Sequence, residues 1–368
     1  MTLGIANSVR VKLKNSNLQA TMGILPATLL IFAAAFITSV LLTPLAQRLS
    51  QHWGIVKGPG GRRKHMGDMP LLGGVPLLGA YLVGAAIATS FLADTPDNSY
   101  LQGVLLGSLV IFAGGVLDDR LELSFGWQFV IQVVATAVAM GHEIFIERFR
   151  NPFDLTDERT IPWTAVIFLL TLIWIVGIIN FVNWLDGLDG LAAGVGTIAL
   201  LLFAWHSFSL KLTTVPAFYL PLALAGSLVG FLFFNFAPAR IFLGSAGVFL
   251  LGYNLATLAI LAPAKWSTAL MVLAVPIIDG VWLVIDRIRH GQSPMKGDRR
   301  HLHFRLADGG LSTRHIVLGY YGVAALFGSV AVIASSALVK LAILAGFGLA
   351  VLGLLIWLSA QADKKTDP

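Results

Sequence analysis

Ile178-Ile179-Asn180-Phe181-Val182-Asn183-Trp184-Leu185-Asp186-Gly187-Leu188-Asp189-Gly190 closes an apolar run that starts near residue 163. Two carboxylates and two carboxamides stand where a membrane-length helix should be ending. An Asp at the centre of a spanning helix costs roughly 2.5–3.5 kcal/mol on insertion scales, so such acids face protein or water and commonly serve a function. The run supports two readings together: the chain is built of membrane helices, and its chemistry lies at helix ends.

The rest of the chain agrees with the first reading. It is 57% apolar and only 12% charged, with a mean hydropathy of +0.81, values of a polytopic membrane protein rather than a soluble domain. A span needs about 20 mostly apolar residues. Eleven runs qualify, at 24–47, 71–92, 101–117, 125–142, 163–182, 187–206, 215–236, 244–262, 266–288, 316–338 and 341–360. Those at 101–117 and 125–142 are short, so ten spans is the alternative count. The expectation is an all-α, polytopic integral membrane protein. Its organisation reads as a tail over 1–23, one transmembrane domain over 24–360 and a tail over 361–368. Residues 1–20 are polar and basic, and the first apolar run is too long for the core of a cleaved leader. With no Cys, disulfides and thiolate metal sites drop out. No nucleic-acid partner is expected; the surroundings are a lipid bilayer.

Charge placement sets the expected orientation. Lys and Arg gather in short cytoplasmic loops, and the densest cationic stretches here are 48–64 and 287–314. Placing those inside puts the N-terminus outside and leaves Asp94, Asp97, Glu143, Glu147, Asp154, Asp157 and Glu158 in outer loops. Arg10, Lys12 and Lys14 vote the other way and are outweighed. The inner loops then hold the unusual residues.

Five stretches carry chemistry. Arg62-Arg63-Lys64-His65 follows a Gly/Pro turn and leads to Pro70 and Gly73-Gly74, a cationic loop that either anchors to anionic headgroups or, through its glycines, lets a phosphate approach the backbone. Asp118-Asp119 is a pair of adjacent carboxylates, which repel unless a cation sits beside them, or else a solvated helix end. Asn180, Asn183, Asp186 and Asp189 recur every third residue; each step turns about 300° on an α-helix, so one regular helix cannot aim all four at one ligand. Gly187 and Gly190 allow a break there. Arg240 precedes Gly244-Ser245 at a helix start, a place that favours anions, though taken alone an ordinary Pro/Gly connection is the better reading. Last come Pro276, Asp279 inside a span, and His301-Leu302-His303-Phe304-Arg305, whose imidazoles two residues apart share one side of an extended segment. A zinc site there lacks further ligands, and phosphate binding among the nearby cations is the better reading.

Taken in order, these stretches resemble the polyprenyl-phosphate N-acetylhexosamine-1-phosphate transferases, a family related to the phospho-N-acetylmuramoyl-pentapeptide transferase. The likeness spans about 24–310 and falls in the hexosamine-phosphate branch. It implies transfer of a sugar-1-phosphate from a UDP-N-acetylhexosamine to polyprenyl (undecaprenyl) phosphate with release of UMP. That would be the first membrane step of a cell-envelope polysaccharide such as lipopolysaccharide or teichoic acid. It also implies Mg²⁺, or Mn²⁺ in its place, an active site on the cytoplasmic face of the bacterial inner membrane, and a homodimer as one assembly. By the same resemblance, Asp118 would be base or orienter for the lipid phosphate, with Asp119 near the metal. Asn180, Asn183, Asp186 and Asp189 would hold the nucleotide sugar, and Arg62, Lys64, His65, His301, His303 and Arg305 the phosphates. The implied metal ligands are Asp119, Asp186, Asp189 and position 245. There this chain has Ser245 where the family carries Asp, and it has Val248 for a usual Ser and Phe304 for a third His.

Two other classes fit parts of the sequence. A homologue that binds lipid phosphate or nucleotide sugar without turnover would suit Ser245 and Phe304. A secondary transporter also uses broken helices and intramembrane acids, but it would show an inverted repeat, and none is visible.

Overall fold

A computed structural model describes residues 2–58, 67–91, 98–146, 148–150, 158–160, 164–261, 265–292, 300–334 and 336–366. The chain runs as α1 (Thr2–His52), β1 (Val56–Lys57), β2 (Met69–Pro70), α2 (Gly74–Phe91), α3 (Asn98–Leu121) and α4 (Phe125–Gly141). It continues as β3 (Arg148–Arg150), β4 (Glu158–Thr160), α5 (Thr164–Leu185) and α6 (Leu191–Ser209), then a π-helical turn, Val215–Tyr219, leads into α7 (Leu220–Asn235). After these come α8 (Gly244–Ile260), α9 (Lys265–Val272), α10 (Ala274–Arg289), α11 (Leu302–Asp308), α12 (Thr313–Ile333) and α13 (Ala337–Thr366).

Among the described residues, seven helices are long and apolar enough to cross a membrane, and three shorter apolar ones accompany them. Ten of the eleven expected runs are thus apolar helices, in the expected order. The remaining one, the ninth at 266–288, is interrupted: its helix stops at Val272 and resumes at Ala274. Pro276 explains the break, because it has no N–H for the Val272 carbonyl and its ring crowds that oxygen. The helical ladder restarts one residue later, with Ile277 N–H on Leu273 O at 2.9 Å. Two small antiparallel ribbons depart from an all-α fold; they pair Val56 with Pro70 and Arg148 with Thr160. The two expected tails are also drawn into helices, α1 from Thr2 and α13 to Thr366.

α8 is the axis of the bundle, buried along nearly its whole length against α2, α3 and α5. Small residues permit this closeness, as membrane interfaces require. A Cβ on Gly115 of α3 would come within 2.4 Å of Ala246 Cα, and one on Gly252 of α8 within 2.6 Å of Ile179 Cα. Buried polar groups bond across the seams, which matters where no water replaces a lost partner. Tyr253 Oη donates to Gly103 O at 2.7 Å and Asn254 Nδ2 to Ser108 Oγ at 2.8 Å. Leu25, Leu29 and Leu41 of α1 and Leu349 of α13 stay exposed, an apolar exterior suited to lipid.

The described parts of the five loops singled out in the sequence come to one end of this bundle, and hydrogen bonds join them. Phe242 N–H donates to Pro70 O at 2.9 Å, tying the fourth loop to the first. Lys57 pairs with Glu122 at 2.8 Å, tying the first to the second, and this exposed ion pair lowers the Glu122 carboxyl below its usual range. Arg314, at the start of α12, donates to Ala237 O at 3.0 Å.

Candidate active site

At the end of α3 the two adjacent acids take different tasks. Asp119 accepts the Ser245 N–H through Oδ1 at 2.6 Å and the Ala246 N–H through Oδ2 at 3.0 Å. It therefore caps the N-terminus of α8, satisfying donors that a helix start leaves over. Only glycine fits at 244: its φ is +65°, and a Cβ would lie 2.2 Å from Leu71 O and 2.6 Å from Asp119 Oδ2. Buried Asp118 accepts the Leu123 N–H at 3.1 Å and Gln128 Nε2 at 2.9 Å on Oδ1, while Ser245 Oγ donates to its Oδ2. Neutral donors thus surround both acids.

This occupancy decides between alternatives that the sequence left open at two places. The helix start after Arg240 is filled by the Asp119 carboxylate, so it offers no place to another anion. Arg240 itself turns away, donating to Phe233 O at 2.9 Å and lying 4.9 Å over the Phe234 ring. Gly73 and Gly74 make room for protein rather than ligand: Cβ atoms there would meet Phe242 O at 2.3 Å and Gly247 N at 2.6 Å.

Between α5 and α6 the expected break is present. α5 stops at Leu185, and Gly190, at φ +80°, opens α6. Asp186 and Asp189 lie half-buried in the turn, with Asn183 half-buried in the last turn of α5. Asp189 Oδ2 accepts the Ala239 N–H at 2.9 Å. Buried Asn235 accepts the Gly190 N–H at 3.1 Å and donates to Ile241 O at 2.9 Å, and Tyr321 Oη donates to Gly190 O at 2.6 Å. Asn180 does not join this group. Its amide donates to Gln132 Oε1 at 2.7 Å and Val176 O at 2.8 Å, clamping α5 to α4. The three-residue repeat placed Asn180 with the turn; one more helical turn along the axis carries it to a different neighbour.

The last loop closes over that turn. His301 and His303 are buried, with rings parallel to within 7° and centroids 5.6 Å apart. His301 lies 6.0 Å from the Trp184 ring, and a Cβ on Gly187 would sit 2.0 Å from His303 Nε2 and 2.8 Å from Phe304 Cζ. Phe304 packs on His303 with centroids 4.3 Å apart. Arg305 Nε donates to Arg300 O at 2.7 Å, and Arg300 pairs with Asp286 at 2.9 Å. Arg62, Lys64 and His65 lie outside the described residues. Sequence reasoning missed Gln128, Asn235 and Trp184 as partners, and it quoted Asp279 without a role.

The residues implied as metal ligands do not form one set. Asp119 is a helix cap, Asp189 holds a backbone amide and the Ser245 hydroxyl is spent as a donor to Asp118. Among the described residues, no group of three or more His, Cys, Asp or Glu is placed to hold a metal ion. Mg²⁺ asks for about six oxygens at roughly 2.0–2.1 Å, and Asp119, Asp189 and Ser245 already engage protein partners here.

A helical membrane bundle with acids, imidazoles and cations gathered at one end has the parts to handle a phosphate at a membrane surface. Glycosyl transferase family 4 matches residues 101–263. A Bacillus subtilis protein named "Probable undecaprenyl-phosphate N-acetylglucosaminyl 1-phosphate transferase" is 33% identical, over 85% of this chain and 86% of its own length. The Haemophilus influenzae undecaprenyl-phosphate alpha-N-acetylglucosaminyl 1-phosphate transferase is 30% identical over 78% of this chain and 80% of its own. The Mycobacterium leprae decaprenyl-phosphate N-acetylglucosaminephosphotransferase is 32% identical over 79% and 80%. The chain belongs to this family of polyprenyl-phosphate N-acetylhexosamine-1-phosphate transferases.

Proposed function

We propose that the chain transfers N-acetylhexosamine-1-phosphate, most closely N-acetylglucosamine-1-phosphate, from the UDP-sugar to polyprenyl phosphate. A phosphate oxygen of the lipid attacks the sugar-bearing phosphorus, the bond to the UMP oxygen breaks, and UMP leaves as a new diphosphate joins sugar to lipid. Such a transfer depends on positioning and on offsetting the charge of two anions. In this reading the Asp186–Asp189 turn receives the nucleotide sugar, and His301, His303 and the arginines beside them meet the phosphates. Asp118 and Asp119 hold the start of α8. The carrying observation is that the acid turn and the imidazole pair pack directly on each other through Gly187.

The same reading places this end of the bundle at the cytoplasmic face of a bacterial inner membrane, because the densest cationic stretches belong to it. The test is UMP release by the purified protein in nanodiscs with undecaprenyl phosphate and UDP-N-acetylglucosamine. One UMP should appear per lipid-linked sugar, and omitting either substrate should abolish it. UDP-sugar binding with no UMP would replace transfer by capture.

A further inference from the structure

Asp279 lies inside α10, and like His301 it is almost wholly buried. Both of its oxygens go to one short segment. Oδ2 lies 2.8 Å from His301 Nδ1, and Oδ1 accepts the Leu302 N–H at 3.0 Å. The second bond fixes the backbone where α11 begins; the first fixes the ring. Held so, His301 stands between Trp184 and the parallel ring of His303, which rests on Gly187 of the acid turn. One carboxylate therefore sets the placement of an imidazole pair against the turn.

A carboxylate at one ring nitrogen also decides the tautomer. With Nδ1–H donated to the acid, Nε2 is the nitrogen left for other work. Among the described residues the ring's hydrogen bond is the one to Asp279. We propose that Asp279 is a positioning residue of the transfer site, holding His301 in the Nδ1–H tautomer so that Nε2 serves an oxygen of the nucleotide-sugar diphosphate. This rests on the transfer reading above.

The experiment uses the full chain in nanodiscs with ¹⁵N-labelled histidine, the His301 signals being assigned by difference from His301→Gln. In the wild type, Nδ1 should carry the proton, and UDP-N-acetylglucosamine should shift Nε2 more than Nδ1. Asp279→Asn should mix the tautomers and lower kcat/KM by about 10- to 100-fold, the range for partners that orient a site imidazole. The loss should fall mainly on kcat, and Asp279→Glu should recover part of it. A wild-type His301 protonated only at Nε2 would overturn the proposal, whether or not the variants fold. So would Asp279→Asn with an unchanged ring signature and unchanged kcat/KM. If the wild type releases no UMP, the transfer reading fails, while the tautomer and the Nε2 shift on UDP-sugar binding still decide the role of Asp279.

Discussion

Replacing Ser245 by Asp probes the acid pair most directly. In the present chain the Ser245 hydroxyl donates to Asp118 and its amide to Asp119. Ser245→Asp keeps the amide and exchanges the hydroxyl donor for a third carboxylate. Loss of a hydrogen bond to a charged acceptor costs about 1.5–3 kcal/mol. Two like charges about 4 Å apart repel by about 4 kcal/mol at an effective dielectric constant of 20. Together these give a destabilisation of about 5.5–7 kcal/mol in chelator, a fall in Tm of many degrees. The same change completes a set of three acids, so a divalent cation should return stability to the variant, about 2.7 kcal/mol at a hundred times its Kd. Thermal unfolding in detergent with EDTA, Mg²⁺ and Mn²⁺ is the assay, run beside the wild type, whose Tm should not respond. Equal stability of both proteins in EDTA, or a wild type raised by the metals as much as the variant, would refute the reasoning. Ser245→Ala, which adds no charge, should lose only about 1–3 kcal/mol.

Gly187→Ala should force His303 from its seat, since the added methyl would lie 2.0 Å from Nε2; UDP-sugar affinity by calorimetry should fall at least about tenfold, with an overpacking cost of about 1–3 kcal/mol. Asn180→Ala should cost about 1 kcal/mol by unclamping α4 from α5 and leave KM for the UDP-sugar unchanged, and a raised KM would restore the substrate role. Gly244→Ala, at φ +65° and 2.2 Å from Leu71 O, should destabilise the chain more than Ser245→Ala does, read as the larger fall in Tm.

Much of the architecture is written in local composition. Apolar runs about a membrane thick give the spans whatever their neighbours do, and Gly187 with Gly190 announces the break in the acid turn. Pro276 carried the signal for the interruption of the ninth run, yet apolar length masked it. The jobs of single polar groups were harder to read, because they depend on which backbone passes close by. Asp118 read as a base or orienter for the lipid phosphate, with no sign that Gln128 and Ser245 would bond to it, and Asp119, read as the metal neighbour, caps α8 because Gly115 lets that helix approach. Asn180 shares its spacing with Asp186 but not its partner. In each case the deciding group is distant in sequence or small enough to carry no pattern of its own.

The segment from Asn235 to Ser245 is fastened on both sides: Asn235 and Ala239 bond to the acid turn, and Ser245 bonds to the end of α3. It acts as a ruler of fixed length laid between two anchorages. A residue inserted or deleted between Ala239 and Ser245 would release one anchorage or the other, so drift in chain length belongs at the opposite end of the bundle.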